Sequence, residues 1–312
     1  MSETLRLTEA GEQFLRQFDF SDAGLAASLI DSLILVTHDE FYAGLCAELK
    51  SLVAESTRPL ALFAVREASS SPYFDETDRR RRPSAVADGA KVGSEGPVAN
   101  LLRDFARQRG PGKALDHPSI ECMRATKVRR LVVVDDIIGS GQRIHRFIRW
   151  LSRDPTIKSW LSYGYVRFVA VAFAATDSGK RLVQELRVVS ATRSVRAVEN
   201  GRAAWSNRER EEYIGLCQRY APRTSRPFWP LGFHSAMTML VFQHKCPNTA
   251  PAIIWAGSKD WYALIPGRPE FSFEEWPRNP GEAERFQRAL QSLGHPTLSE
   301  LQWMKYVSPK AR

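Results

Sequence analysis

Residues 131–143 read LVVVDDIIGSGQR: four apolar residues, Asp135 and Asp136, two more apolar residues, then Gly139, Ser140, Gly141, Gln142 and Arg143. Adjacent carboxylates accept hydrogen bonds or hold a hard cation, whereas a glycine-rich turn opening a helix offers backbone N–H groups to an anion. A ligand that satisfies both carries vicinal hydroxyls and a phosphate, as ribose 5-phosphate does, with Mg2+ offsetting the remaining negative charge. The standard phosphate loops do not fit. A P-loop needs G-x-x-x-x-G-K-[ST], and neither the spacing after Gly139 nor the lysine is present. In a dinucleotide fingerprint Ile144 would stand at the third glycine and Leu161 near the acidic position. Two carboxylates at the end of an apolar strand serve no packing purpose, because burying charge is costly unless it is paired.

The surrounding pattern is α/β. It predicts strands at 59–65, 131–134 and 166–174 with a short one near Val188, and helices at 97–108, 142–151 and from Ser178. Uninterrupted apolar strands alternating with helices imply a parallel sheet with helices on both faces, in a core spanning 57–225. The acid pair then lies at a strand end and the glycine turn at a helix start. Between the first strand and its helix runs a polar segment, 66–92, far longer than the usual ~2–6-residue connection, and such loops are commonly lids or disordered. Arg79, Arg80, Arg81 and Arg82 fall inside it and read as a solvated run.

Residues 1–56 read as an N-terminal helical segment. Thr37 and Glu40 have capping-box spacing ahead of Phe41, Leu45, Leu49 and Leu52, and two amphipathic stretches precede them, carrying Phe14 and Phe18, then Leu25, Leu29 and Leu33. Residues 226–312 read as an α+β extension: a hairpin of 238–244 and 251–256 around Cys246-Pro-Asn-Thr249, then a helix at 282–293 that Gly294 terminates.

Composition sets the limits. At 312 residues, 43% hydrophobic and 25% charged, the chain is globular in character, and no apolar run approaches the ~20 residues of a membrane-spanning helix. The opening MSETLRLTEAGEQFLRQF lacks the basic and apolar regions of a secretory signal, so a cytoplasmic location is expected. Cys46, Cys122, Cys217 and Cys246 form no CxxC pair, and with His234 and His244 match no zinc spacing. A net charge of +9 points to anionic partners and says nothing of fold.

The 131–143 stretch resembles the phosphoribosyl-pyrophosphate motif of type I phosphoribosyltransferases. That resemblance implies a type I phosphoribosyltransferase-like sheet, in which Asp135 and Asp136 take the ribose hydroxyls directly or through Mg2+, and Gly139, Ser140, Gly141, Gln142 and Arg143 take the 5-phosphate. The ligand would be phosphoribosyl pyrophosphate or a nucleotide. QFLRQFDFSDAGLAASLIDSL, GSEGPVANLLRDF and PLGFHSAMTMLVFQHKCPNTAPAIIW are similar to the phosphoribosyltransferase-like proteins of bacterial antiviral and conflict systems, including some retrons. This implies an effector or regulatory role, with protein or nucleic-acid partners of a defence complex, compatible with an oligomer and without a membrane.

The chain departs from the enzymatic pattern at two places. Gly139 stands where many purine-using members carry an acid, and Arg143 replaces a small hydroxyl residue. The loop for pyrophosphate has two candidates, Val65-Arg66-Glu67-Ala68 and Gly93-Ser94-Glu95-Gly96. Three readings stay open: an enzyme substituting at the anomeric carbon, a catalytically silent nucleotide sensor, and a nucleic-acid-binding component.

Overall fold

The computed structural model describes residues 5–86, 95–198 and 205–265. The helix expected at 282–293, and residues 87–94, lie outside them. The chain divides into two compact units, one made of residues up to His38 together with those from Glu199 onward, the other of Asp39–Val198.

The second unit holds the sheet. Five parallel strands, β2 (Leu60–Ala64), β3 (Ala114–Asp116), β4 (Arg130–Ile138), β5 (Arg167–Ala175) and β6 (Val189–Ala197), lie in the order β3-β2-β4-β5-β6. The elements alternate with helices α3 (His38–Ala54), α4 (Glu95–Arg109), α5 (Ile120–Ala125), α6 (Gln142–Leu151), α7 (Pro155–Ser162) and α8 (Asp177–Gln184). Strand β2 is buried at every position, as a strand covered on both faces must be. On one face Phe63, Val133, Phe168 and Ala170 pack with Ile144, Phe147, Ile148 and Leu151 of α6 and Ile157 of α7. On the other, Phe173 of β5 meets Phe41 of α3 with ring centroids 5.7 Å apart. A Cβ added at Gly44 of α3 would stand 2.9 Å from Val195, so that glycine sets how closely the helix lies on the sheet. Thus the expected parallel sheet with helices on both faces is present, and the strand near Val188 is a full nine residues.

The first unit contains α1 (Glu9–Leu15), α2 (Phe20–Asp31), β1 (Ile34–Val36), α9 (Asn207–Tyr220), β7 (Leu240–Phe242) and α10 (Ala252–Trp255). Its core is aromatic: Phe14, Phe18, Tyr220 and Trp261 meet edge-on or tilted, Phe18 lying 5.2 Å from Trp261 and 4.6 Å from Tyr220. Two expectations are corrected here. Residues 1–56 are not one helical segment, because β1 interrupts them and α3 packs on the sheet of the other unit. Nor is there a hairpin at 238–256: β7 pairs in parallel with β1, Ile34 opposite Leu240, and Ala252–Trp255 is helical. Pro251 explains the second case, since a proline lacks the N–H a ladder requires and suits the start of a helical turn. Among the described residues no helix is long and apolar enough to cross a membrane.

Candidate functional site

Ladder pairing of β2 with β4 ends at Ala64 opposite Val134, whereas β4 and β5 continue together to Ile138 and Ala175. Asp135 is therefore the first residue of β4 beyond its neighbour. β2 leads on to β3 on one side and β4 to β5 on the other, so the carboxyl ends of β2 and β4 form the switch point at which open α/β sheets place ligands. Asp135 and Asp136 are both 1% exposed. Each carboxylate accepts a following backbone N–H, Asp136 N to Asp135 Oδ1 at 3.0 Å and Ile137 N to Asp136 Oδ1 at 2.9 Å.

The turn after β4 is clamped by glycines. Gly141 caps α6 with φ +77°, a left-handed conformation costly for any residue with a Cβ, and a Cβ there would lie 2.6 Å from the Gly179 carbonyl. A Cβ on Gly179 would in turn collide with the Gly139 carbonyl. The Thr176 hydroxyl donates to that same carbonyl and accepts from Gly179 N at 3.0 Å, tying the turn to the start of α8. Gln142 N faces the Ser140 hydroxyl at 3.5 Å, and the first-turn amides of α6 point out of the helix end, as helix geometry requires. The structure thus brings Gly139, Ser140, Gly141 and Gln142 into one rigid turn beside the acid pair.

Arg143 is placed differently from its neighbours. Its guanidinium turns to the acids, with Nη1 3.4 Å from Asp135 Oδ1, Nη2 3.5 Å from Glu95 Oε2 and Nε 3.8 Å from Glu67 Oε1. Nη2 also donates to the Val65 carbonyl at 3.0 Å. Burial disfavours this charge, but Asp135, Asp136, Glu67 and Glu95 outweigh it and raise the guanidinium above its ordinary pKa. Val65 and Glu67 belong to one candidate pyrophosphate loop and Glu95 to the other, so the described parts of both converge on one cation. That cation therefore supplies positive charge beside the Oδ1 of Asp135. Sequence reasoning missed Glu95 as a partner. Its only sequence signal was a carboxylate at the start of a helix, which the structure then buries to 7% exposure.

The described part of the long loop, 66–86, is fastened to the sheet unit, and of its arginine run Arg80, Arg81 and Arg82 are exposed, as a solvated run implies, while Arg79 is drawn inward. Tyr73 and Phe74 enter the core against Phe63, and Tyr73 also meets Phe147 and Trp150. Ser71 accepts from the Trp150 indole at 2.8 Å, and the Arg66 guanidinium lies 4.8 Å over the same ring. Arg79 pairs with buried Asp154 at 2.7 Å. Arg82 reaches Asp116 at 2.8 Å, and Asp116 also takes His117 Nδ1 at 2.5 Å. His117 Nε2 accepts from Ala64 N at 2.9 Å, which assigns the ring proton to Nδ1. This links the ends of β2 and β3. Loop length alone left the segment's role open; its buried aromatics and the Arg79–Asp154 pair fasten the described part.

Compared with known families, residues 12–266 match the PRTase-CE family. No curated protein matches the chain. Among solved structures it is similar to Helicobacter pylori xanthine-guanine-hypoxanthine phosphoribosyltransferase at 10% identity, with a TM-score of 0.29, over 55% of this chain and 92% of that one.

Proposed function

The chain belongs to the PRTase-CE family, and we propose that it binds a ribose 5-phosphate compound, phosphoribosyl pyrophosphate or a nucleotide, at the carboxyl end of β4. One observation carries this reading: two buried carboxylates stand directly before a glycine-clamped turn that opens α6. Asp135 and Asp136 would accept the ribose hydroxyls, while the turn and the first amides of α6 would take the 5-phosphate. Arg143 favours binding over transfer. With its guanidinium on Asp135 and Glu95, the positive charge at the acids is supplied by the protein itself. Asp135 and Asp136 would also be the residues to hold Mg2+, which would offset phosphate charge there, and no step is assigned to it. The resemblance to proteins of bacterial antiviral systems, including retrons, extends the proposal to a cytoplasmic effector or regulator of defence.

The test is a ligand titration followed by melting. A ligand selective for the native state stabilises it by RT ln(1 + [L]/Kd), about 2.7 kcal/mol at ~100 times Kd. Phosphoribosyl pyrophosphate or a nucleotide should raise the midpoint in the wild type and not in Asp135→Asn with Asp136→Asn. No shift with any of them removes the reading, and pyrophosphate release on mixing would convert binding into transfer. In cells carrying the defence locus, the same double substitution should abolish protection against phage.

A further inference from the structure

At the opposite, amino-terminal end of the sheet, two helix ends face each other. Helix α7 closes with Gly164 N donating to Leu161 O at 3.1 Å and Tyr165 N to Trp160 O at 2.8 Å, with Gly164 at φ +71°. Helix α5 closes in the same way, Lys127 N to Arg124 O at 3.2 Å and Val128 N to Met123 O at 3.1 Å. These are Schellman closures, which bring the residue two after the cap against the third from the helix end. They therefore set Tyr165 beside Trp160 and Val128 beside Met123. Together these four residues with Arg124, Lys127, Arg129 and Val166 line a cavity of about 190 Å3, the scale of one nucleobase.

The lining has two kinds of surface. Trp160 and Tyr165 give aromatic walls over an apolar floor, and cations form the rim: Arg124 lies 6.0 Å from the Trp160 ring and Arg129 5.7 Å from the Tyr165 ring. Arg124 pairs with Glu121 at 3.1 Å, but among the described residues no carboxylate pairs with Lys127 or Arg129. Lys127 also stands at φ 54° in the left-handed position that glycine normally fills. A cation at the end of α5 suits the helix dipole, yet a dipole does not require a lysine in that backbone conformation. Outside the cavity Tyr163, 74% exposed, stacks on Tyr165 with centroids 5.8 Å apart and an interplanar angle of 26°. Packing does not require that ring, since one of its faces looks to water.

We propose that these two helix ends form a docking site for single-stranded nucleic acid, with one base against Trp160 and Tyr165, a neighbouring base on Tyr163, and phosphates on Lys127, Arg129 and Arg124. Aromatic platforms interleaved with cations are the general means of holding unpaired strands, because every base has a stacking face. The second exposed ring, outside the cavity, is what selects a strand over a single nucleotide.

The experiment is anisotropy of a fluorescein-labelled single-stranded 12-mer of mixed sequence with the full chain, read across a salt series. Binding should weaken with salt, and Tyr163→Ala should reduce affinity about tenfold with an unchanged melting midpoint. Lys127→Gly with Arg129→Gln should reduce it further and lower the log–log salt slope by about 1.4, about 0.7 for each lost phosphate contact on a single strand. Lys127→Gly suits the left-handed backbone, so loss of binding there does not reflect a failure to fold. The proposal is overturned if the wild type does not bind the oligonucleotide or if both variants bind as the wild type does. It is equally overturned if inorganic polyphosphate of equal charge, or a single nucleotide at equal concentration, displaces the strand as well as an unlabelled 12-mer.

Discussion

The two ends of one sheet handle charge in opposite ways. At the carboxyl end the buried Asp135 and Glu95 share Arg143, so carboxylates taken from water are answered from inside the protein, while partly buried Asp116 is held between exposed Arg82 and buried His117. At the amino end Lys127 and Arg129 stand in solvent beside exposed tyrosines. Charge that is desolvated must be paired and so becomes a fixed part of the structure, whereas solvated charge stays open to an incoming ligand at little cost to folding. The contrast teaches that the same residue type, arginine, is an internal counter-ion at one end and a surface contact at the other.

The largest way to break that contrast is Arg143→Met. Removing the guanidinium leaves Asp135 and Glu95 buried without it, and loss of one partner from a buried pair costs about 3 kcal/mol. Urea denaturation should show that loss, and adding Asp135→Asn should recover part of it. An unchanged midpoint would mean that the carboxyl end is no more dependent on pairing than the surface.

A smaller effect sharpens the comparison through pH. Burial pushes the Asp116 carboxyl up, but the His117 N–H and the Arg82 guanidinium outweigh it and hold it below the usual carboxylate value. A depressed folded pKa contributes stability that is present above the unfolded value, ~3.9, and lost as pH falls through the folded one. Melting midpoints of the wild type should therefore drop below about pH 4, and Asp116→Asn should start lower and decline less steeply over that window.

The smallest expected change lies at the amino end. Tyr163→Ala removes a ring that is mostly in solvent, and denaturation should register no more than about 0.5 kcal/mol. A large loss would show that the stacked tyrosines hold the fold together rather than stand ready for a partner.

What the sequence revealed divides along distance in the chain. The strand, acid pair, turn and helix of 130–151 were legible because each is specified locally: an apolar run, two charges, a left-handed glycine and a 3.6-residue period. The partners of Arg143 were not, because Glu95 is 48 positions away and Val65 is 78. The same limit explains the false hairpin. Cys246-Pro-Asn-Thr249 has turn chemistry, but β7 finds its ladder partner at residues 34–36, which no local pattern announces. Short β3 carries too few residues for periodicity, and the pinning of the long loop depends on Tyr73 and Phe74 meeting rings from other elements.

The pairing of β1 with β7 has a consequence for biogenesis. During synthesis the continuous 39–198 unit has all its own strands in hand before Leu240 leaves the ribosome, whereas Ile34 must wait for Leu240 to be made. Until residues 220–261 are made, Phe14, Phe18 and Leu29 lack the cover of Tyr220 and Trp261, and early helices with bare apolar faces are what chaperones retain. Loop closure over so long a separation is also entropically slow, so the earliest helices to emerge are among the last parts of the described fold to be secured.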